Sequence, residues 1–125
     1  MVRKICVDSD VLISLMNEEN QTKQRIESLD ASFYTSSVNA FEIWMGRKES
    51  ERVLELLSWL EVIPFDMSAA CLAGDVMRSL KKDGNIIEFR DLFVATICIR
   101  HNIELLTYNQ KHFARLKKYG LKLVA

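Results

Sequence analysis

The sequence predicts an α/β fold built on a parallel sheet, and two observations carry that prediction. Segments rich in β-forming residues alternate with segments of helical periodicity, the order typical of strands joined by crossover helices. The segment "FRDLFVATICIRH" (89–101) predicts a helix that is apolar almost all round, as expected of a buried central helix. In a chain of 125 residues, this pattern predicts a single domain over residues 1–125.

Composition places the chain among ordinary globular proteins. Hydrophobic residues make up 49% and charged residues 27%, which is enough apolar surface to favour a folded core. The 17 basic and 17 acidic residues balance, so any nucleic-acid partner needs a local basic patch. The three cysteines are widely spaced among apolar neighbours, so we expect Cys6, Cys71 and Cys98 to be small core residues. No secretory signal or membrane-length apolar stretch is found, which favours a cytoplasmic protein.

The first half of the chain is predicted to contain two strands and four helices. "RKICV" opens as a buried strand, which we expect to run from Arg3 to Asp8, and "SFYT" is the second strand. The predicted helices are "DVLISLMN", with Ser9 or Asp10 as N-cap, the polar and exposed "NQTKQRIESL", "AFEIWMGRKE", and "SERVLELLSWL". The last of these has the apolar spacing of one buried helical face.

The second half is predicted to contain three strands and three helices. "EVIPF" is a short strand, and Pro64 indicates that it lies at an edge of the sheet. The helix "SAACLAGDVMRSLKKDG" follows and closes at Gly84, ahead of the apolar helix 89–101. "IELLT" is a strand, "NQKHFARLKKY" a helix ended by Gly120, and "LKLV" the fifth strand.

Polar residues stand at the boundaries of these elements, and parallel sheets collect their active groups outside the carboxyl ends of the strands. The candidates are Asp8, Glu42, Asp91 and Asn109. Each has a structural explanation of its own. Asp8 or Asp10 can cap the first helix, and Glu42 follows Asn39 by three positions, as in a capping box. Asp91 suits the first turn of a helix, and Asn109 suits a helix cap.

Taken together, the acids indicate a metal site. A parallel sheet brings Asp8 and Asp91 to the same rim, where clustered carboxylates repel unless a counter-charge is present. Oxygen ligands at such a rim suit Mg²⁺ or Mn²⁺. Zinc is disfavoured, because His101 and His112 lie far from these acids in the sequence.

The segments "VDSDVLI", "SSVNAFEIWMG" and "DLFVATICIRHNIELLTYNQKHF" follow one another over nearly the whole chain. In content and order, these three segments resemble the PIN-domain family, specifically the VapC-type toxin ribonucleases. The resemblance implies a three-layer sandwich, with a five-stranded, mostly parallel sheet between helices. It also implies a carboxylate cluster of Asp8, Glu42 and Asp91 that binds Mg²⁺ or Mn²⁺. Asn109 stands at the family's fourth acidic position, a departure that lowers the charge of the site.

The resemblance implies metal-dependent hydrolysis of RNA phosphodiester bonds. Asp8 and Asp91 would ligate the metal, Glu42 would bind it directly or through water, and Asn109 would orient a water. Asp10 and Glu88 are candidate supporters of the site. The basic residues best placed to bind RNA are Arg90, Lys111 and Arg115, with Arg47 and Lys48 as further candidates. Tyr108 is a candidate for stacking on a base.

The resemblance also implies two protein partners, a cognate antitoxin and a second copy of the chain. The antitoxin would lie across the active rim, where it would offer an arginine to the acids. Phe41, Trp44, Trp59 and the helix 50–60 are candidate apolar surface for this partner, with core packing as the alternative.

Two other interpretations remain open at this point. "ICVDSDVLI" also resembles the haloacid-dehalogenase phosphatases, in which Asp8 would be a nucleophile. That family expects Thr or Val where Leu12 stands, and a second acid where Ser79 stands. The other alternative is a PIN-like module that binds RNA or protein and no longer cuts, an interpretation that Asn109 keeps open.

Overall fold

The centre of the molecule is a parallel β-sheet, seen in a computed structural model that describes residues 2–125. The strands are β1 (Arg3–Val7), β2 (Ala31–Ser36), β3 (Glu61–Ile63) and β4 (Glu104–Leu106), in the order β3-β2-β1-β4. Every pairing is parallel; Cys6, for example, lies between Tyr34 of β2 and Leu105 of β4. The predicted α/β class is confirmed, and β3, which precedes Pro64, lies at the edge as predicted.

The prediction of five strands is wrong, because "LKLV" forms only an isolated bridge. Leu123 pairs with Leu105 in parallel fashion, through backbone hydrogen bonds of 2.8 Å (Leu105 N–H to Lys122 O) and 2.9 Å (Val124 N–H to Leu105 O). β4 is only three residues long and pairs with β1 on its other side.

Seven α-helices connect and cover the strands within residues 2–125. They are α1 (Ser9–Met16), α2 (Asn20–Ser28), α3 (Ser37–Met45), α4 (Ser50–Trp59), α5 (Met67–Lys82), α6 (Phe89–Arg100) and α7 (Gln110–Phe113). The single helix predicted over 109–119 is instead divided into α7 and a 3₁₀ helix, Ala114–Tyr119. None of the helices in this part of the chain is long and apolar enough to cross a membrane.

Two apolar cores lie on opposite faces of the sheet, so the fold has three layers as predicted. Successive residues of β1 point to opposite faces: Ile5 and Val7 join α1, α2 and α4, whereas Cys6 joins α5 and α6. Helix α6 is largely buried, as its apolar sequence predicts.

One cysteine departs from expectation. Cys6 and Cys98 are buried and free, but Cys71 is exposed. Helix α5 buries Ala69, Ala73 and Val76, and Cys71 lies on the other face of the helix. Apolar neighbours in sequence therefore did not place Cys71 in the core.

The topology gathers polar residues at one rim of the sheet. Asp8 follows β1, Thr107 follows β4, and Ser36 ends β2. These strands are neighbours and run in the same direction, so their carboxyl ends meet. The opposite rim carries the amino ends, where Arg3 of β1 pairs with Glu104 of β4.

Candidate active site

Asp8 is the most deeply buried acid of the rim, with 1% of its surface exposed. It caps α1 and accepts hydrogen bonds on Oδ1 from Ser9 N–H at 2.9 Å and from Asn39 Nδ2 at 2.8 Å. Arg90 Nη2 donates to the same oxygen at 2.9 Å, and Thr107 Oγ1 donates to Oδ2 at 2.8 Å. Donors from four separate elements or loops thus fix one carboxylate at the end of a buried strand.

Glu42 reaches the rim from the second turn of α3. The predicted capping box of Asn39 and Glu42 is wrong, because the helix begins one turn earlier. Ser36 is the N-cap, and Asn39, at the third helical position, completes the capping box with it. Glu42 is therefore free of the cap, and its Oε1 accepts a hydrogen bond from Ser9 Oγ at 2.7 Å.

Asn39 is a site residue that the sequence identified only as a helix cap. Its side chain is fully buried, and Nδ2 donates to Asp8 Oδ1 and to Ser9 Oγ, the latter at 3.0 Å. Its Oδ1 accepts from Ser36 Oγ at 2.6 Å. A polar run directly after a strand, "SSVN", was the available signal, but only the packing shows that the amide points inward.

Arg90 lies inside the acid cluster, where one guanidinium contacts three carboxylates. Nε donates to Glu42 Oε2, Nη1 donates to Asp91 Oδ1, and Nη2 donates to Asp8. Arg90 and Asp91 are adjacent in the first turn of α6, which directs both side chains at the rim. The structure therefore brings together Asp8, Glu42 and Asp91, as the sequence predicts, and adds a cation among them.

This packing shifts the pKa values of both α6 residues. Burial raises the pKa of Asp91, and the neighbouring Arg90 opposes that rise, while Asp8 and Glu88 add to it. Burial alone would lower the pKa of Arg90, but the hydrogen bond to Glu42 and the charges of the acids raise it overall. Arg90 is therefore positively charged at neutral pH.

Asp10 lies on the Thr107 side of the rim. Its Oδ2 accepts from Tyr108 N–H at 3.1 Å and lies 3.4 Å from Thr107 Oγ1, and its Oδ1 accepts from Val11 N–H at 2.7 Å. Burial, and then the charge of Asp8, raise the pKa of Asp10. Tyr108 is 56% exposed, and its hydroxyl is hydrogen-bonded to Thr22 of α2.

The remaining candidate residues have exposed side chains. Asn109 is exposed, and its N–H donates to Thr107 Oγ1 at 3.0 Å. Lys111 and Arg115 are exposed on the segment that follows Asn109, and Glu88 is exposed at the start of α6. Their roles stay predictions. His112 Nδ1 lies 3.7 Å from Asp91 Oδ2, although the two residues are distant in sequence.

The donor set fits a hard divalent cation, because the converging ligands are all carboxylate oxygens. Within residues 2–125, no three acidic, histidine or cysteine side chains are close enough together to ligate a metal as they stand. The carboxylate oxygens of Asp8, Glu42 and Asp91 are instead spaced around the guanidinium of Arg90.

Comparison with known proteins identifies the class. Residues 5–119 match the profile of the PIN domain. The chain belongs to the PIN-domain family, which excludes the haloacid-dehalogenase interpretation.

Among the similar proteins are VapC ribonucleases. Ribonuclease VapC1 of Methanocaldococcus jannaschii is 37% identical over 123 residues, or 96% of this chain and 86% of that protein. Ribonuclease VapC10 of Mycobacterium tuberculosis is 32% identical over 113 residues, or 87% and 85% of the two chains.

Solved structures give the same result for the fold. A chain of VapBC2 from Rickettsia felis, crystallised with a DNA fragment from its promoter, has a TM-score of 0.83 and 25% identity over 97% of both chains. A chain of VapBC-1 from nontypeable Haemophilus influenzae has a TM-score of 0.79 and 21% identity, covering 97% of this chain and 96% of that one. The second likeness shows the fold alone.

Proposed function

We propose that this PIN domain, residues 1–125, is a metal-dependent endoribonuclease and the toxin of a VapBC-type toxin–antitoxin pair. The observation that carries the proposal is the convergence of Asp8, Glu42 and Asp91 on one point at the carboxyl rim of the sheet. The identities to the VapC ribonucleases named above support the reaction.

The acids would hold Mg²⁺ or Mn²⁺, with Asp8 and Asp91 as direct ligands and Glu42 as a direct or water-mediated one. Such a cation supplies Lewis acidity, which lowers the pKa of water and withdraws charge from the scissile phosphate. Asn39 and Thr107 orient the Asp8 carboxylate, and Ser9 orients Glu42. These buried donors preorganise the ligands, so the chain does not reorganise when the substrate reacts.

RNA would bind along the side of the rim that carries positive charge. Arg90, Lys111 and Arg115 are the proposed phosphate contacts, because the acids themselves repel RNA. Asn109 would orient a water at the rim. Tyr108 would stack on a base, since its ring is exposed while its hydroxyl and backbone N–H are both hydrogen-bonded.

The proposed antitoxin surface is an apolar groove beside the acids. It has a volume of about 460 Å³ and is lined by Val38, Phe41, Met45 and Phe93, with Glu42 and Arg90 at its edge. Phe41 is 63% exposed and Met45 is 68% exposed, which is unusual for side chains of this size next to one another. We also propose that the protein forms a homodimer and acts in the cytoplasm.

The nuclease proposal is tested by incubating the purified protein with a mixed single-stranded RNA pool in Mg²⁺, in Mn²⁺ and in chelator. Asp8→Asn and Asp91→Asn are run alongside. We expect cleavage that requires metal and both acids. Asp30→Asn is the matched control, because it makes the same charge change at an exposed position before β2, at the opposite rim.

Equal cleavage by wild type and Asp8→Asn would contradict the proposal, because contamination would then explain the activity. If the wild-type protein is folded but neither cuts the RNA pool nor binds Mn²⁺, the alternative interpretation is favoured. In that case the chain is a PIN-like module that binds RNA or protein without cutting, as the asparagine at position 109 allows.

A further inference from the structure

Arg90 occupies the position at which the three acids converge, and this position bears on metal binding. Its guanidinium contacts Glu42, Asp91 and Asp8, whose side chains are 25%, 7% and 2% exposed. Carboxylates so close together in a partly desolvated site repel unless a cation lies between them. The planar, forked guanidinium donates several hydrogen bonds in a fixed geometry, so it can bridge oxygens of different carboxylates at once.

The hydrogen bonds of Asp8 show which group a metal would have to replace. A carboxylate oxygen offers about two lone-pair sites, and Asp8 Oδ1 already accepts from Ser9 N–H, Asn39 and Arg90, whereas Oδ2 accepts from Thr107. A cation can therefore gain Oδ1, the oxygen that Arg90 contacts, only if one of its three donors leaves.

Two of the three donors to Oδ1 are not free to leave. Ser9 donates from the backbone of α1, and the side chain of Asn39 is fully buried. The side chain of Arg90 is 27% exposed and is a long, flexible chain at the edge of the apolar groove. Arg90 is the donor that can withdraw, and its positive charge also repels an incoming cation.

We propose that Arg90 is an internal counter-ion that holds the three carboxylates together in the metal-free protein and is displaced when a divalent cation binds. This inference rests on the proposed function, because it assumes that the same acids ligate the metal. Arg90 is thus a positioning residue before metal arrives. Once displaced toward the open rim, its guanidinium is available to a phosphate of RNA.

The experiment compares Mn²⁺ binding, measured by titration calorimetry, in wild type and Arg90→Gln. We expect Arg90→Gln to bind Mn²⁺ at least about tenfold more tightly than wild type. A change of this size corresponds to the loss of one charge-assisted hydrogen bond that competes with the metal. In chelator, the same variant should melt at a lower temperature than wild type, because its carboxylates lack a counter-charge. A role in substrate binding alone would change neither quantity.

Arg3→Gln is the matched control. It removes the same charge and breaks an ion pair with Glu104, of 2.6 Å, at the opposite rim. We expect its Mn²⁺ affinity to equal that of wild type. Arg90→Lys provides a second test should Arg90→Gln fold poorly. It keeps the charge without the fork, so its Mn²⁺ affinity should lie between those of wild type and Arg90→Gln.

The two proposals fail differently. Wild type that binds Mn²⁺ while Arg90→Gln and Arg90→Lys bind it no more tightly would overturn the counter-ion role and leave the nuclease intact. Wild type and variants that all fail to bind Mn²⁺ would overturn both.

Discussion

At the scale of single residues, the site depends on buried polar side chains that support Asp8 and Glu42. Asn39 is the clearest case, because it links the cap of α3 to Asp8 and Ser9 without reaching the surface. Polar groups this deeply buried are costly when a partner is lost, since the orphaned group has no water to replace it. The support for the carboxylates therefore also contributes to the stability of the fold.

We predict that Asn39→Ala lowers the free energy of unfolding by about 1–3 kcal/mol, the cost of leaving buried partners unsatisfied. Urea denaturation measures this quantity. Asn20→Ala, at an exposed position of α2, is the control and should change stability by less than about 0.5 kcal/mol. A loss of the same size in both variants would contradict a special role for the buried amide.

At the scale of elements, helix starts place the functional groups. Asp8 caps α1, and Ser36 and Asn39 cap α3, so both helices begin at the rim. Capping fixes the rotation of each helix about its axis, and for α3 this rotation brings Glu42 toward Ser9.

Asp66 caps α5, which lies away from the acids. Its Oδ1 accepts a hydrogen bond from Ala69 N–H at 2.9 Å, and its Oδ2 lies 3.0 Å from His101 Nε2.

The cap of α5 leads to a pH prediction. The hydrogen bond from Ala69 N–H, and then His101, lower the pKa of Asp66 below its ordinary value. A carboxyl with a lowered folded-state pKa stabilises the fold above its unfolded-state pKa, near 4, and this contribution is lost as pH falls through the folded-state pKa. We therefore expect Asp66→Ala to melt below wild type at neutral pH and the difference to shrink as pH falls below about 4.

Thermal unfolding over a pH series measures this difference. Asp75→Ala, an exposed carboxylate on the same helix, should show no such trend. A melting difference for Asp66→Ala that stays constant or grows on acidification would contradict the assignment.

At the scale of the whole molecule, the parallel sheet brings residues that are distant in sequence to one rim. Asp8 and Thr107 are 99 positions apart, yet their side chains are in contact at 2.8 Å. The proposed ligands lie directly after β1, on α3 and on α6. Metal binding would therefore be coupled to the complete fold, because no single element holds all three.

We therefore predict that Mn²⁺ stabilises the folded protein against unfolding. For one site and a metal concentration of one hundred times Kd, the gain is about 2.7 kcal/mol. Differential scanning calorimetry with Mn²⁺ and with chelator measures it. Asp8→Asn should lose most of this gain and Asp30→Asn should keep it; equal gains in the two variants would place the metal elsewhere.

Local pattern was enough to predict much of this molecule. Alternating strand and helix signals predicted the α/β class with a parallel sheet, and Pro64 predicted an edge strand. The resemblance implied the three layers and selected Asp8, Glu42 and Asp91. Predictions from local pattern were wrong where strand pairing or packing decides the outcome. Leu123 forms a bridge rather than a strand, Cys71 is exposed, and the N-cap of α3 is Ser36 rather than Asn39.

The sequence by itself determined the alternation of strands and helices, because periodicity acts over a few neighbouring residues, and its resemblance to a family selected the three acids. Only the tertiary structure decided what surrounds those acids. The inward amide of Asn39, the approach of His112 to Asp91 and the guanidinium of Arg90 among three carboxylates all depend on contacts between distant segments. Such contacts follow from the packing of helices on the sheet, and no local spacing encodes them.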